Sequence, residues 1–125
     1  MQSQVQQINK EVKVTEAIIL DGQSLSNEID LTGSNGGALD VIILFMPAVW
    51  NGTQLTYQAS DVKGGTYRDL YDDSGTQVTS TVAASRAISE IAEIRTVRFL
   101  RIRSGTAGTP VNQQDDRTIK IVATA

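Results

Sequence analysis

Along this chain apolar and polar residues alternate mostly with a period of two, the pattern of strands that bury one face. Residues 97–105 (VRFLRIRSG) are the stretch around which the others can be arranged. They combine aliphatic, aromatic and β-branched side chains and end at a Ser-Gly turn signal. Arg98, Leu100 and Ile102 share one face of the predicted strand, and Phe99, Arg101 and Arg103 share the other. Neither face is wholly apolar, which suits a strand near a sheet edge or one carrying a bulge.

The same pattern marks further strands on both sides. Residues 12–20 read as a first strand or pair of strands closed by the turn at 21–24, and 27–31 alternate as a second. Residues 39–45 are the most apolar strand and are expected to be buried on both faces, with Pro47 ending its pairing. A strand over 55–59, with Leu55, Tyr57 and Ala59 on one face, leads through a hairpin-type connection at 61–65 to a return over 66–71. A turn at 72–75 and a strand over 76–79 complete an expected β-meander. Residues 83–94 carry helix formers, with Ile88, Ile91 and Ala92 at helical offsets, yet suit an extended connection equally well. One short helical turn at most is expected there. A long polar loop, 105–117, precedes a last strand over 118–123, and loops of that length often carry function.

Residues 1–10 are polar and glutamine-rich, with Val5 and Ile8 as their apolar anchors. They read as a frayed end, or as an arm that orders against a neighbouring subunit. The division expected is an N-terminal arm over 1–11 and a β domain over 12–125. With 125 residues, 40% of them hydrophobic, the chain suffices for one domain with one core. The N-terminus lacks the basic head and apolar run of a signal peptide, and the apolar run at 41–50 is interrupted by Pro47 and too short to span a membrane. The expectation is a protein left in the cytoplasm where it is made, or assembled there into something larger.

Composition narrows the chemistry. There is no cysteine and no histidine, so disulfides, thiolate metal sites, imidazole ligands and an imidazole base are all excluded. A net charge of −3 disfavours nonspecific binding of nucleic acid. The glycines of 33–37 lack the lysine and the strand-to-helix setting of a phosphate cradle, and a plain loop is preferred. Asp72 and Asp73 lack the further ligands of a calcium loop, and a type I turn with a left-handed Gly75 accounts for them. The carboxylate pairs Asp72/Asp73 and Asp115/Asp116 sit side by side on turns, a poor arrangement for an acid and a base flanking a substrate. The Asn51-Gly52-Thr53 sequon carries little weight without a secretory signal. Arg98, Arg101 and Arg103 could bind phosphate or carboxylate; salt bridges to Asp69, Asp72 or Asp116, or a subunit interface, are preferred. The rings of Phe45, Trp50, Tyr57, Tyr67, Tyr71 and Phe99 could line a sugar platform, but most are expected in the core. No nucleophile, base and oxyanion donor assemble in the sequence, so no enzyme, cofactor or metal is expected.

The run 55–61, the run from Gly64 to Tyr71, Gly75, residues 98–106 and 110–113 together resemble small proteins of tailed-bacteriophage structural gene clusters, over the C-terminal half to two-thirds of the chain. The order of strand, Ser-Asp-Gly hairpin, aromatic strand and arginine-flanked late strand is more distantly similar to discoidin-like and carbohydrate-module jelly rolls. From those this chain departs at Tyr67, where tryptophan is usual, and in lacking a ligand set at the loop tips. The phage resemblance implies an all-β, antiparallel two-sheet β-sandwich of jelly-roll type, working in the virion as a capsid decoration or cement protein. Its expected partners are the major capsid protein or other virion proteins and further copies of itself, a trimer being one expected form. Val5, Ile8, Arg98, Arg101, Arg103, Asn112 and Gln113 are the expected contact residues. The more distant similarity implies the alternative, a tail or fibre module that binds host glycans.

Overall fold

Alternating strands that cannot each bury a face alone must stack in layers, and the computed structural model shows two. It describes residues 11–89 and 92–125, apart from the side chain of Ile42. Strands β1 (Val12–Ile19), β9 (Arg117–Thr124), β3 (Asp40–Phe45) and β7 (Ala87–Ser89) lie in that order in one sheet, sheet A. Sheet B runs β2 (Ile29–Asp30), β8 (Phe99–Ser104), β4 (Gln54–Ser60) and β5 (Arg68–Asp69), with β6 (Thr79–Thr81) also on β4. Every pairing is antiparallel, so the expected two-sheet β-sandwich is the fold. A single 3₁₀ turn, Ala92–Ile94, is the helix among the described residues.

The core lies where the inner faces meet. Leu55 and Tyr57 of β4, Leu100 and Ile102 of β8, Leu44 of β3, and Ile119 and Ile121 of β9 are completely buried. Each aliphatic side chain so removed from water contributes about 1.5–3 kcal/mol. Tyr57 keeps its hydroxyl satisfied inside this core through a 2.6 Å hydrogen bond with Ser80 Oγ. Its pKa is pushed far up, chiefly by burial.

The structure corrects three expectations. Residues 39–45 are not buried on both faces: Phe45 is 42% exposed, because none of the described residues forms a layer over the outer side of sheet A. A bulge between Val41 and Ile43 also breaks the strand's register against β9. The expected 27–31 strand shrinks to Ile29–Asp30. Upstream of it Ser26 Oγ accepts from Ile102 N at 3.0 Å, and Asn27 turns toward β1. The meander is an edge strand with an interruption. β5 and β6 both pair with β4, at Gln58–Ala59 and at Gln54–Thr56. Between them residues 71–77 leave the sheet as a small hairpin, tied by Asp72 N to Thr76 O and Val78 N to Leu70 O.

Elsewhere the expected local chemistry is found. Asp72 Oδ1 accepts from Ser74 N, Ser74 Oγ and Thr76 N, and Gly75 follows with φ +84°, as the turn reading required. Residues 87–94 supply both alternatives weighed for them, an extended β7 and one short helical turn. Glu11 belongs with the sandwich rather than with the arm. Its carboxylate accepts from Ser34 N and its carbonyl from Ala125 N at 2.9 Å.

Candidate functional site

The late strand β8 does organise the molecule. Its inward residues, Leu100 and Ile102, anchor sheet B in the core, while its outward residues build a polar lattice across the sheet. Register places Arg103 opposite Thr56 and Arg101 opposite Gln58, with Asp69 opposite Gln58 on the far side of β4. Arg103 therefore reaches across β4. Its Nη2 donates to Asp69 Oδ1 at 2.6 Å, which is the salt bridge the sequence favoured, and Arg103 is only 9% exposed. Gln58 Nε2 donates to the same carboxylate oxygen at 3.2 Å. The hydrogen bond from Arg103, opposed by partial burial and helped by Gln58, holds the Asp69 carboxyl below its usual range.

Arg101 is committed to a second cluster. Its guanidinium stands 4.5 Å from the Tyr67 ring centroid, a cation–π contact. Tyr67 comes from the loop after β4 and donates its hydroxyl to Glu28 Oε2 at 2.5 Å; Gly64 N donates to the same oxygen at 2.7 Å. The hydrogen bond from Tyr67 is the largest of several influences that lower the Glu28 pKa. The Tyr67 hydroxyl is pushed well up by desolvation and by the same bond. The loop over 61–67 is thereby fastened across β8 onto the segment before β2.

A third knot holds the long loop. Gln113 is 1% exposed. Its Nε2 donates to Asn51 O at 2.7 Å and to Ser104 Oγ at 2.8 Å. Its Oε1 accepts from Asn51 N at 3.0 Å and from Arg117 Nε at 3.3 Å. The backbone of Gln113 pairs with Gly22 and Gln23, so three separate loops meet at this one residue.

The expected contact residues thus scatter. Arg103 and Gln113 are internal and engaged within their own chain, and Arg101 is half-buried under its tyrosine. Arg98 is exposed, lies 5.5 Å from the Phe99 ring centroid, and faces Arg68 across a groove of about 310 Å³. Asn112 is exposed on the loop. Val5 and Ile8 lie outside the described residues. The aromatic residues do not gather either. Tyr57 and Phe99 are buried, Tyr67 lies under Arg101, and Tyr71 projects alone from its hairpin.

The surface that sequence reasoning missed is the outer side of sheet A. Val12, Val14 and Ile18 of β1 are 60%, 60% and 37% exposed, with Leu20 just past β1; Phe45 of β3 is exposed on the same sheet, separated from β1 by Lys120 of β9. Ile18 and Leu20 continue with Leu25 into a groove of about 530 Å³. The period-two pattern of β1 contains the signal, since Val12, Val14, Glu16 and Ile18 alternate with Ala17 and Ile19. Only the position of the second sheet tells which set faces out. Among the described residues no group of acidic side chains is placed to hold a metal ion, and no helix is long and apolar enough to cross a membrane. Comparison with family models, with curated proteins and with solved structures gives no match.

Proposed function

We propose that this chain is a structural protein of a tailed-bacteriophage virion, a capsid decoration or cement protein that acts by the surfaces it covers. The observation that carries the reading is the asymmetry of the sandwich. Sheet B is closed on its outer side by its own ion pair, cation–π contact and hydrogen bonds. Sheet A offers Val12, Val14, Ile18 and Phe45 to solvent. Exposed apolar residues grouped on one face are what a protein that binds by area requires. The resemblance of residues 55–113 to phage structural proteins supplies the setting, and the major capsid protein and further copies of this chain are the partners it suggests. The glycan-binding alternative draws less support, because the rings do not gather: Tyr57 and Phe99 are buried, Tyr67 is covered by Arg101, and the exposed Phe45 and Tyr71 lie on different parts of the sandwich.

The test is binding of the purified chain to particles that lack it. Saturable binding in a fixed ratio to capsid protein, with a gain in thermal resistance of the particles, is expected. It should weaken when Val12 and Phe45 are changed together to serine. Absence of particle binding, together with retention on a glycan array, would replace this reading by the alternative.

A further inference from the structure

The four sheet edges of the sandwich are not alike. β2, β7 and the β5/β6 side end their sheets in strands of two or three residues, and the last is also broken by the hairpin over 71–77. Short, interrupted edges are how sheets avoid joining other chains. β1 is different: eight residues, paired with β9 from Val12 to Ile19 without a bulge, and containing no proline.

Half of this long edge is closed and half is open. Glu11 O accepts from Ala125 N on the β9 side, so the even-numbered peptide groups of β1 point the other way. At the C-terminal half they are met by one side chain. Asn27 Oδ1 accepts from Ile18 N at 2.7 Å, Asn27 Nδ2 donates to Glu16 O at 3.4 Å, and Asn27 N donates to Ile18 O at 3.2 Å. At the N-terminal half, among the described residues, the N–H and C=O groups of Val12 and Val14 have no partner on that side. The two valines flanking this open stretch are also the most exposed large apolar side chains among the described residues.

We propose that the open half of β1 pairs with the same stretch of a second copy, antiparallel about a two-fold axis at Val14, joining two copies of sheet A into one. Charge selects this register. An axis at Lys13 would set lysine against lysine, which destabilises a cross-strand pair. With Val14 on the axis, Lys13 faces Thr15 of the other copy and Glu16 faces Val12, so no like charges meet. Val14 then exchanges both hydrogen bonds with its mate, and on either side Glu16 N donates to Val12 O, while Glu16 O, which already accepts from Asn27 Nδ2, has its second lone pair for Val12 N. Asn27 stops the ladder beyond Glu16, so the pairing has a defined length. The interface is isologous and gives a dimer rather than the trimer suggested by the resemblance. It goes beyond the virion reading and does not depend on it.

Sedimentation of the full chain over a dilution series, with oxidative crosslinking, tests the pairing. The expected species is a dimer. Val14→Lys and Val14→Pro should each reduce it to a monomer with an unchanged circular-dichroism spectrum. The lysine sits on an exposed position, and the proline removes an N–H that β9 does not use. Since the chain has no cysteine, Val14→Cys introduces a single thiol that should crosslink in high yield across a Cα separation of about 5.5 Å. Glu16→Cys, about 14 Å from its counterpart in this register, should not. A monomer at every dilution, a trimer, or a dimer indifferent to both Val14 variants would overturn the proposal. So would a monomer that dimerises once residues 1–10 are deleted, since that segment would then be the occupant of the edge.

Discussion

Replacing Gln113 with leucine keeps the bulk of the side chain and removes every polar contact of its amide. The wild-type amide makes four hydrogen bonds, two to the backbone of Asn51 and one each to Ser104 and Arg117. At about 1 kcal/mol net per bond their loss amounts to about 4 kcal/mol. Burial of a leucine in place of the amide returns about 1–2 kcal/mol. The half-buried Asn51 peptide can turn partly to water, while Ser104, completely buried, cannot. The net expectation is a destabilisation of about 2–4 kcal/mol. In urea, with a slope of about 1–2 kcal/mol per M for a chain of this size, the midpoint should fall by about 1–4 M with the slope unchanged. A midpoint shift below about 0.3 M would refute the reasoning. If that small shift came with loss of particle binding, Gln113 would be a contact residue after all.

Asp69→Asn tests the ion pair through pH. The folded-state pKa of Asp69 lies below its unfolded value, so the bond to Arg103 stabilises the fold above the ordinary carboxylate range and loses that effect as pH falls toward the depressed folded value. The stability gap between wild type and variant should therefore be widest near neutrality and close in acid; a gap constant from pH 7 to pH 2 would contradict this. Gly105→Ala should cost well over 1 kcal/mol. Its φ is +84° and a Cβ there would come within 2.5 Å of Thr109 O. Gly22→Ala, at φ +77° with open space around it, should cost about 1 kcal/mol for backbone strain alone, and equal melting temperatures for the two variants would dismiss the clash. Tyr67→Phe retains the ring over Arg101 but not the bond to Glu28. It should destabilise by about 1–2 kcal/mol and return the Glu28 pKa, followed by NMR, toward its ordinary value.

Much of the strand layout was legible because β1, β4 and β9 alternate, and period two reports a half-buried strand directly; β8, with two mixed faces, was legible from its β-branched, aromatic and aliphatic residues instead. The pairing partners were not legible. Nothing local in residues 66–79 says that both halves return to β4, because that choice is made by the pairing of β5 with Gln58–Ala59 and of β6 with Gln54–Thr56. For the arginines of β8 the sequence leaves anion binding, an ion pair and an interface open, and Arg103 forms the ion pair, with Asp69. Gln113 shows the opposite failure. A glutamine in a polar loop has the composition of a surface residue, and its burial follows from three loops converging from distant parts of the chain. The unpaired edge of β1 was hidden for the same reason, since an edge is defined by what lies beside a strand rather than by its residues.

The place of β9 between β1 and β3 also sets the order in which the molecule can be made. Val12 finds its neighbour only at Thr124, and Val41 only at Ala123, so during synthesis, among the described residues, β1 has no strand beside it and β3 only the short β7 until residues 117–124 have left the ribosome. β4 and β8 can meet well before then. Until the last strand arrives, the nascent chain holds two sticky, half-made ribbons apart, a slow closure of long loops and an interval in which a chaperone has most to protect.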